Sequence, residues 1–196
     1  MPNSNGGTRR RQILRTAVDL ATVEGLDGLS IGGLAERIGM SKSGLYSHFK
    51  SKEELQLAVI DTAFGIYEEH VLLPALREKS GLKRLQALCE NFLSYMKLFP
   101  GGCFFASVNA EFDTRPGNVR DRLADLYQAW GGALTGSITQ AQQEGSLRAS
   151  EDPEQLAFEV NAYLHLANDI FVFQRNEVPV ARAQQALRDR VDRARP

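Results

Sequence analysis

Five prolines set the strongest limits on how this chain folds. Pro74, Pro100, Pro116, Pro153 and Pro179 each stand where a helical pattern stops or starts, and none falls inside one. Proline has no amide hydrogen to give and clashes with the preceding turn, so it divides helical sequence into segments. Within the segments apolar residues recur at helical spacing, and no stretch keeps the alternation of a half-buried strand. The expected fold is all-α, with about nine helices near residues 8–23, 31–38, 42–48, 52–73, 81–98, 102–111, 117–144, 153–175 and 179–193. Residues 1–7 are expected to form a disordered tail, residues 8–51 a small head and residues 52–196 a larger body.

The head carries the sharpest local signals. Ile13, Leu14, Ala17, Val18 and Ala21 form the apolar stripe of the first helix, which Gly25 and Gly28 end. Ser30 reads as the N-cap of the second helix, whose buried face is Ile31, Leu34, Ala35 and Ile38, and Gly39 supplies a left-handed stop. Ser41 caps a short third helix. Met40 before it and Leu45 after it hold the two positions of a hydrophobic staple, and Phe49 is a second anchor four residues on. Ser51 and Glu54 make the capping box of the fourth helix. Two short helices joined by the turn at Gly39 have the form of a helix-turn-helix, whose second helix enters the major groove by its first residues. Here those residues are Lys42, Ser43 and Gly44, with Tyr46 and Ser47 one turn on.

Charge points the same way. The formal net charge of the chain is −1, yet residues 1–50 hold seven Lys and Arg against four acids, about +3, which leaves about −4 for the rest. The helix N-termini at Ser30, Ser41 and Ser51 offer free amide hydrogens to an anion, and Lys42, Lys50 and Lys52 add mobile positive charge. Arg9, Arg10 and Arg11 read either as an arm along DNA or as the solvated start of a helix. Two cysteines, with no zinc spacing, argue against a disulfide framework or a metal site. No apolar run reaches the roughly 18 residues of a membrane span, and no secretory signal opens the chain. The expected setting is cytoplasmic.

The run LSIGGLAERIGMSKSGLYSHFKSKEEL, residues 29–55, together with the apolar helix upstream, strongly resembles the DNA-binding segment of the TetR family of bacterial transcriptional regulators. The resemblance is specific over residues 8–56. It implies a homodimer whose two heads bind successive major grooves of a palindromic operator on double-stranded DNA. It also implies phosphate contacts from Ser30, Tyr46 and Lys52, base-facing positions for Lys42, Ser43 and Gly44, and a backbone or base contact from His48. Ser41 and Ser47 complete the expected DNA-binding set. The chain departs from the family pattern at Gly32–Gly33, where many relatives carry larger residues, so no contact is carried over there.

In the body, NFLSYMKLFPGGCFFASVNAEF gathers Phe92, Tyr95, Phe99, Phe104, Phe105 and Phe112, six of the chain's sixteen aromatics. Such a cluster is either ordinary core or, given what the family does, partly the lining of a pocket for a small apolar effector. Met96, Val108, Asn109, Trp130, Asn161 and His165 are candidates to complete that lining, with Asn109 and His165 as polar handles. Cys103, after Gly101–Gly102 at an expected helix start, is a candidate sensor thiol if exposed and a small buried apolar group if not. By the resemblance, helices 153–175 and 179–193 pair with their copies in a four-helix dimer interface. One motif is a decoy: Gly28-Leu29-Ser30-Ile31-Gly32 fits the nucleophile elbow of serine hydrolases, with His165 as nominal partner, but that elbow follows a strand and Ser30 follows a helix. The expected function is a ligand-responsive DNA-binding regulator, a repressor in the first instance and an activator or ligand-requiring regulator in the second. No enzymatic activity, cofactor or metal is expected.

Overall fold

The computed structural model describes residues 4–196, and every regular element in them is helical. The elements are α1 (Ser4–Glu24), α2 (Ile31–Arg37), α3 (Lys42–Tyr46), α4 (Lys52–Tyr67), a π-helical turn (Glu68–Leu72), α5 (Leu73–Leu76), α6 (Gly81–Tyr95), a 3-10 turn (Met96–Leu98), α7 (Phe104–Phe112), α8 (Asn118–Gln143), α9 (Pro153–Gln174) and α10 (Val178–Arg193). Because α4, the π turn and α5 run on without a break, the all-α expectation of about nine helical segments holds.

Two boundaries differ from expectation. Residues 4–7 of the expected tail belong to α1, and the remainder of that tail, residues 1–3, lies outside the described residues. Arg9, Arg10 and Arg11 therefore sit in regular helix and not in an extended arm, and the Arg10 guanidinium lies 4.8 Å above the Phe49 ring. Pro74 does not stop its helix. The Leu73 amide donates to Glu68 O, five residues back, at the end of the π turn, and helix resumes with Pro74 in its first turn. The widened turn meets the need created by a proline ring that would otherwise press on the carbonyl four residues before it.

The chain divides into two compact units. The first runs through Ile66 and takes in Phe99–Ala124 as well. There α2 packs on α3 and α7 packs on α1. The α1 stripe predicted from spacing, Ile13, Leu14, Ala17, Val18 and Ala21, is buried throughout, as are Leu45 and Phe49. Burying the Ile, Leu, Val and Phe side chains among these contributes about 1.5–3 kcal/mol each.

The second unit is Tyr67–Leu98 with Asp125–Pro196. In it α6 packs against the π turn, α5 and α9, and α9 packs along α10. The start of α9 follows the sequence closely: Asp152 accepts hydrogen bonds from the Glu154 and Gln155 amides, and Pro153 opens the helix. Leu156, Val160, Leu164 and Ala167 are its buried face.

Candidate nucleic-acid interface

The turn between α2 and α3 is built by hydrogen bonds whose pattern was legible in the sequence. Ser30 Oγ accepts from the Gly33 amide at 3.0 Å and so caps α2. At the other end Gly39 adopts φ +65. The Met40 amide donates to Ala35 O at 2.8 Å and the Gly39 amide to Glu36 O at 3.2 Å, the paired bonds of a Schellman stop. Gly39 takes this conformation at little cost because it has no Cβ. Two residues on, Ser41 Oγ accepts from the Gly44 amide at 3.0 Å and opens α3.

Leu45 and Phe49 are fully buried, and Met40 is half-buried with its methyl group close to Gly44. These anchors fix the rotation of α3. Lys42, Ser43, Tyr46 and Ser47 are consequently exposed on the opposite side, Tyr46 to 54%. An aromatic side chain this exposed on a five-residue helix contributes little to the chain's own core. Ser43 Oγ lies 3.2 Å from Ser41 Oγ, and Ser47 Oγ donates to Gly44 O at 2.6 Å. His48 is half-buried with its ring tilted against Phe49, centroids 6.3 Å apart. Gly32 acquires a reason here: a Cβ at that position would stand 3.0 Å from Lys42 Cε, so the bare backbone leaves room for the Lys42 stem to cross α2.

The fourth helix begins beside this face. The Glu54 amide donates to Ser51 Oγ at 3.0 Å, while the Glu54 carboxylate accepts from the Lys50 amide at 2.9 Å, one residue before the position a capping box ordinarily uses. Lys52 does not project freely. Its ammonium donates to Asp27 Oδ1 at 2.9 Å and to the Asp27 carbonyl. That engagement with the α1–α2 loop left no trace in the sequence pattern.

Ser30 is a cap, and no strand precedes it among the described residues, so the elbow motif has neither its geometry nor its fold. Cys103 takes the second of its two readings, the small buried apolar group. It does sit at the N-cap of α7, but it is 1% exposed, which denies a thiol the access that sensing needs. Cys89 is also buried, and burial pushes its thiol up to about 12.

The candidate effector residues fall in both units. In the first, Phe104, Val108 and Phe112 are buried on α7, Phe105 meets Phe104 edge-on at 5.2 Å, and Asn109 Oδ1 is buried without a hydrogen bond from any described residue. In the second, Tyr67, Tyr95, Phe92, Trp130 and His165 form one aromatic cluster: Tyr67 meets Tyr95 at 5.0 Å and Trp130 at 5.6 Å, and Phe92 meets Trp130 and His165 at 5.9 Å each. Met96 is buried in the same unit. The Trp130 indole donates to Asn161 Oδ1 at 2.8 Å, and Asn161 donates to the Tyr127 hydroxyl at 3.3 Å. Tyr67 is a member that its place in the sequence, far from the Phe-rich segment, did not reveal.

Burial lowers the pKa of His165 below the ordinary histidine value, with Asp169 opposing. An unfolded chain therefore takes up a proton near pH 6.5 that the folded chain refuses until lower pH, so stability falls as pH drops below about 6.5. The melting temperature should fall further between pH 7.5 and pH 5.5 for the native chain than for His165→Gln. Equal losses would show that another group sets the acid limit.

A short, capped α3 held by buried anchors, with a basic and acid-free outer face, defines a helix-turn-helix DNA-binding protein. Comparison with known families carries this further. Residues 13–59 match the family described as "Bacterial regulatory proteins, tetR family", and residues 81–187 match "Tetracyclin repressor-like, C-terminal domain". The chain belongs to the TetR family and is a DNA-binding transcriptional regulator, not an enzyme.

Over 154 residues the chain is 29% identical to the nucleoid occlusion factor SlmA of Marinobacter nauticus, covering 76% of this chain and 74% of that one. A TetR transcriptional regulator from Chloroflexus aurantiacus shares the fold with a TM-score of 0.85 at 24% identity, over 94% of each chain. AibR, in a structure with isovaleryl coenzyme A and operator DNA, gives a TM-score of 0.70 at 26% identity, over 82% of this chain and 86% of that one. No helix among the described residues is long and apolar enough to cross a membrane.

Proposed function

We propose that this chain is a homodimeric repressor acting in the cytoplasm, in which residues 8–51 bind one half-site of a palindromic operator and residues 52–196 bind a small, largely apolar effector that releases it. The exposed face of α3 carries the reading. In this reading Lys42, Ser43 and Gly44 face base edges, Tyr46, Ser30 and, once it leaves Asp27, Lys52 contact phosphates, and Ser41, Ser47 and His48 support the same surface. The two heads of a dimer must stand about 34–36 Å apart to meet successive major grooves.

The effector is read by the aromatic cluster around Trp130 in the second unit, and its binding favours a dimer with the wrong head spacing. Support for a ligand comes from AibR, whose structure holds both isovaleryl coenzyme A and operator DNA. An effector has to prefer the released state by a few kcal/mol, because equal affinity for both states shifts nothing.

The experiment is a fluorescence-anisotropy titration of labelled DNA from the chain's own upstream region, at several salt concentrations. Lys42→Ala should weaken specific binding by about 1–3 kcal/mol and lower the preference for the operator over random DNA. A Lys42→Ala protein that binds operator and random DNA just as the native chain does would remove Lys42 from the interface.

A further inference from the structure

Asp27 lies in the α1–α2 loop, and four groups of the first unit converge on it. Glu111, from α7, accepts the Leu26 amide at 3.0 Å and the Asp27 amide at 2.8 Å, one on each carboxylate oxygen, and so fixes the loop. Gln56, on α4, donates to Leu26 O at 3.1 Å. The Asp27 side chain then holds two cations. Lys52 takes Oδ1 at 2.9 Å, and Arg115, between α7 and α8, takes Oδ2 at 2.6 Å. Arg115 is braced in turn, with its guanidinium over the Phe112 ring at 5.8 Å. Both cations hold the Asp27 carboxyl below the usual carboxylate range, Lys52 being the larger cause.

The arrangement matters because Lys52 opens α4 beside the proposed DNA face. A carboxylate within hydrogen-bond reach of its ammonium competes with an operator phosphate for the same cation. Exposed ion pairs of this kind are weak and exchangeable. The second cation decides what the exchange costs. With Arg115 in place, Lys52 leaves an Asp27 that is still neutralised. Without Arg115, Lys52 leaves a bare carboxylate close to the incoming phosphate, and stays where it is.

We propose that Arg115 is a positioning residue for DNA binding: by holding Asp27, it frees Lys52 to exchange that carboxylate for an operator phosphate. The phosphate-binding capacity of the head then depends on the α7–α8 corner, in which Arg115 sits. This inference rests on the proposed phosphate contact of Lys52.

The test measures operator affinity against salt for the full-length chain and its variants. Arg115→Ala should weaken binding about 3- to 10-fold near 0.1 M salt. It should also reduce the slope of log affinity against log salt by about 0.9 per head, one phosphate's share. Asp27→Asn in the Arg115→Ala background should restore both, and Arg115→Lys should retain most of them. A melting temperature for each variant separates these effects from loss of fold.

A native salt slope in Lys52→Ala overturns the phosphate contact itself. A reduced slope in Lys52→Ala beside a native slope in Arg115→Ala overturns the role of Arg115 alone. Failure of Asp27→Asn to restore the Arg115→Ala protein also overturns it, because Arg115 would then be touching DNA or supporting the fold.

Discussion

Gly101→Ala destabilises the first unit more than any cap or surface change in the head. A Cβ on Gly101 would stand 1.8 Å from the Thr22 carbonyl oxygen and 2.3 Å from the carbonyl carbon. Both are backbone atoms of α1, so no side chain can swing aside. The contact is also held by a hydrogen bond, from the Gly101 amide to Thr22 Oγ1 at 3.2 Å, and Thr22 Oγ1 itself donates to Asp19 O at 2.8 Å. The new methyl group forces the segment ahead of α7 away from α1 and disturbs the α1–α7 packing behind it.

Overpacking of ordinary cores costs about 1–3 kcal/mol. A clash between two backbones exceeds that range, and a loss of at least about 3 kcal/mol is expected from a total of about 5–15. For a chain of this length that is a fall of about 6–12 °C in melting temperature. Gly65→Ala is the contrast. Gly65 is helical and exposed, with nothing within 4 Å of an added Cβ, so alanine there should stabilise by about 1 kcal/mol. Thermal unfolding followed by circular dichroism distinguishes the two, and a native melting temperature for Gly101→Ala would refute the close approach.

What the sequence made legible in this region, and what it hid, follows from distance along the chain. Ser30, Ser41, Ser51 and Asp152 bond to amides two or three residues away, and Gly39 closes a turn within five, so each leaves a fixed local spacing. The helix-turn-helix is made almost wholly of such contacts, which is why its exposed residues were identifiable from spacing and family pattern together. Thr22 with Gly101 is separated by 79 residues, Asp27 with Glu111 by 84 and Asp27 with Arg115 by 88. No period in the sequence marks a pair so far apart.

Two departures from a local signature share that cause. Cys103 has the local signature of a reactive helix start, and only its burial, a property of the whole fold, cancels it. Pro74 has the local signature of a stop, and only the π turn before it lets the helix continue. The aromatic cluster lies between these cases. Its Phe-rich segment was conspicuous, but Tyr67 and the Trp130–Asn161 bond join it from elsewhere in the chain.

Leu166→Glu should convert the proposed dimer to monomers and remove most operator affinity while leaving the fold intact. Phe158, Leu166 and Phe173 follow one another at spacings of eight and seven along α9, which places them on one side of the helix, and they are 71%, 58% and 89% exposed. Tyr163, Leu166, Ile170, Val178, Pro179 and Ala186 wall a groove of about 230 Å³ between α9 and α10. Gln174 and Arg182 also line the groove, and large apolar side chains this exposed along one side of a helix suit an interaction surface. In the proposed dimer a second copy of the same face covers it by two-fold symmetry, so every substitution there enters the interface twice.

Two glutamates buried without partners cost several kcal/mol, enough to dissociate a dimer that works at micromolar concentrations. Because Leu166 is exposed in the single chain, the change should not alter the helical signal or the melting of an isolated protomer. The mass in solution should drop from twice the chain's 21.7 kDa to that value. Each head then binds its half-site alone, and the loss of linkage between heads weakens operator binding by about 100-fold or more. If Leu166→Glu remains a dimer with native operator affinity, the copies meet through another face. If it becomes a monomer with native affinity, one head suffices for recognition and the head-spacing mechanism of release falls with it.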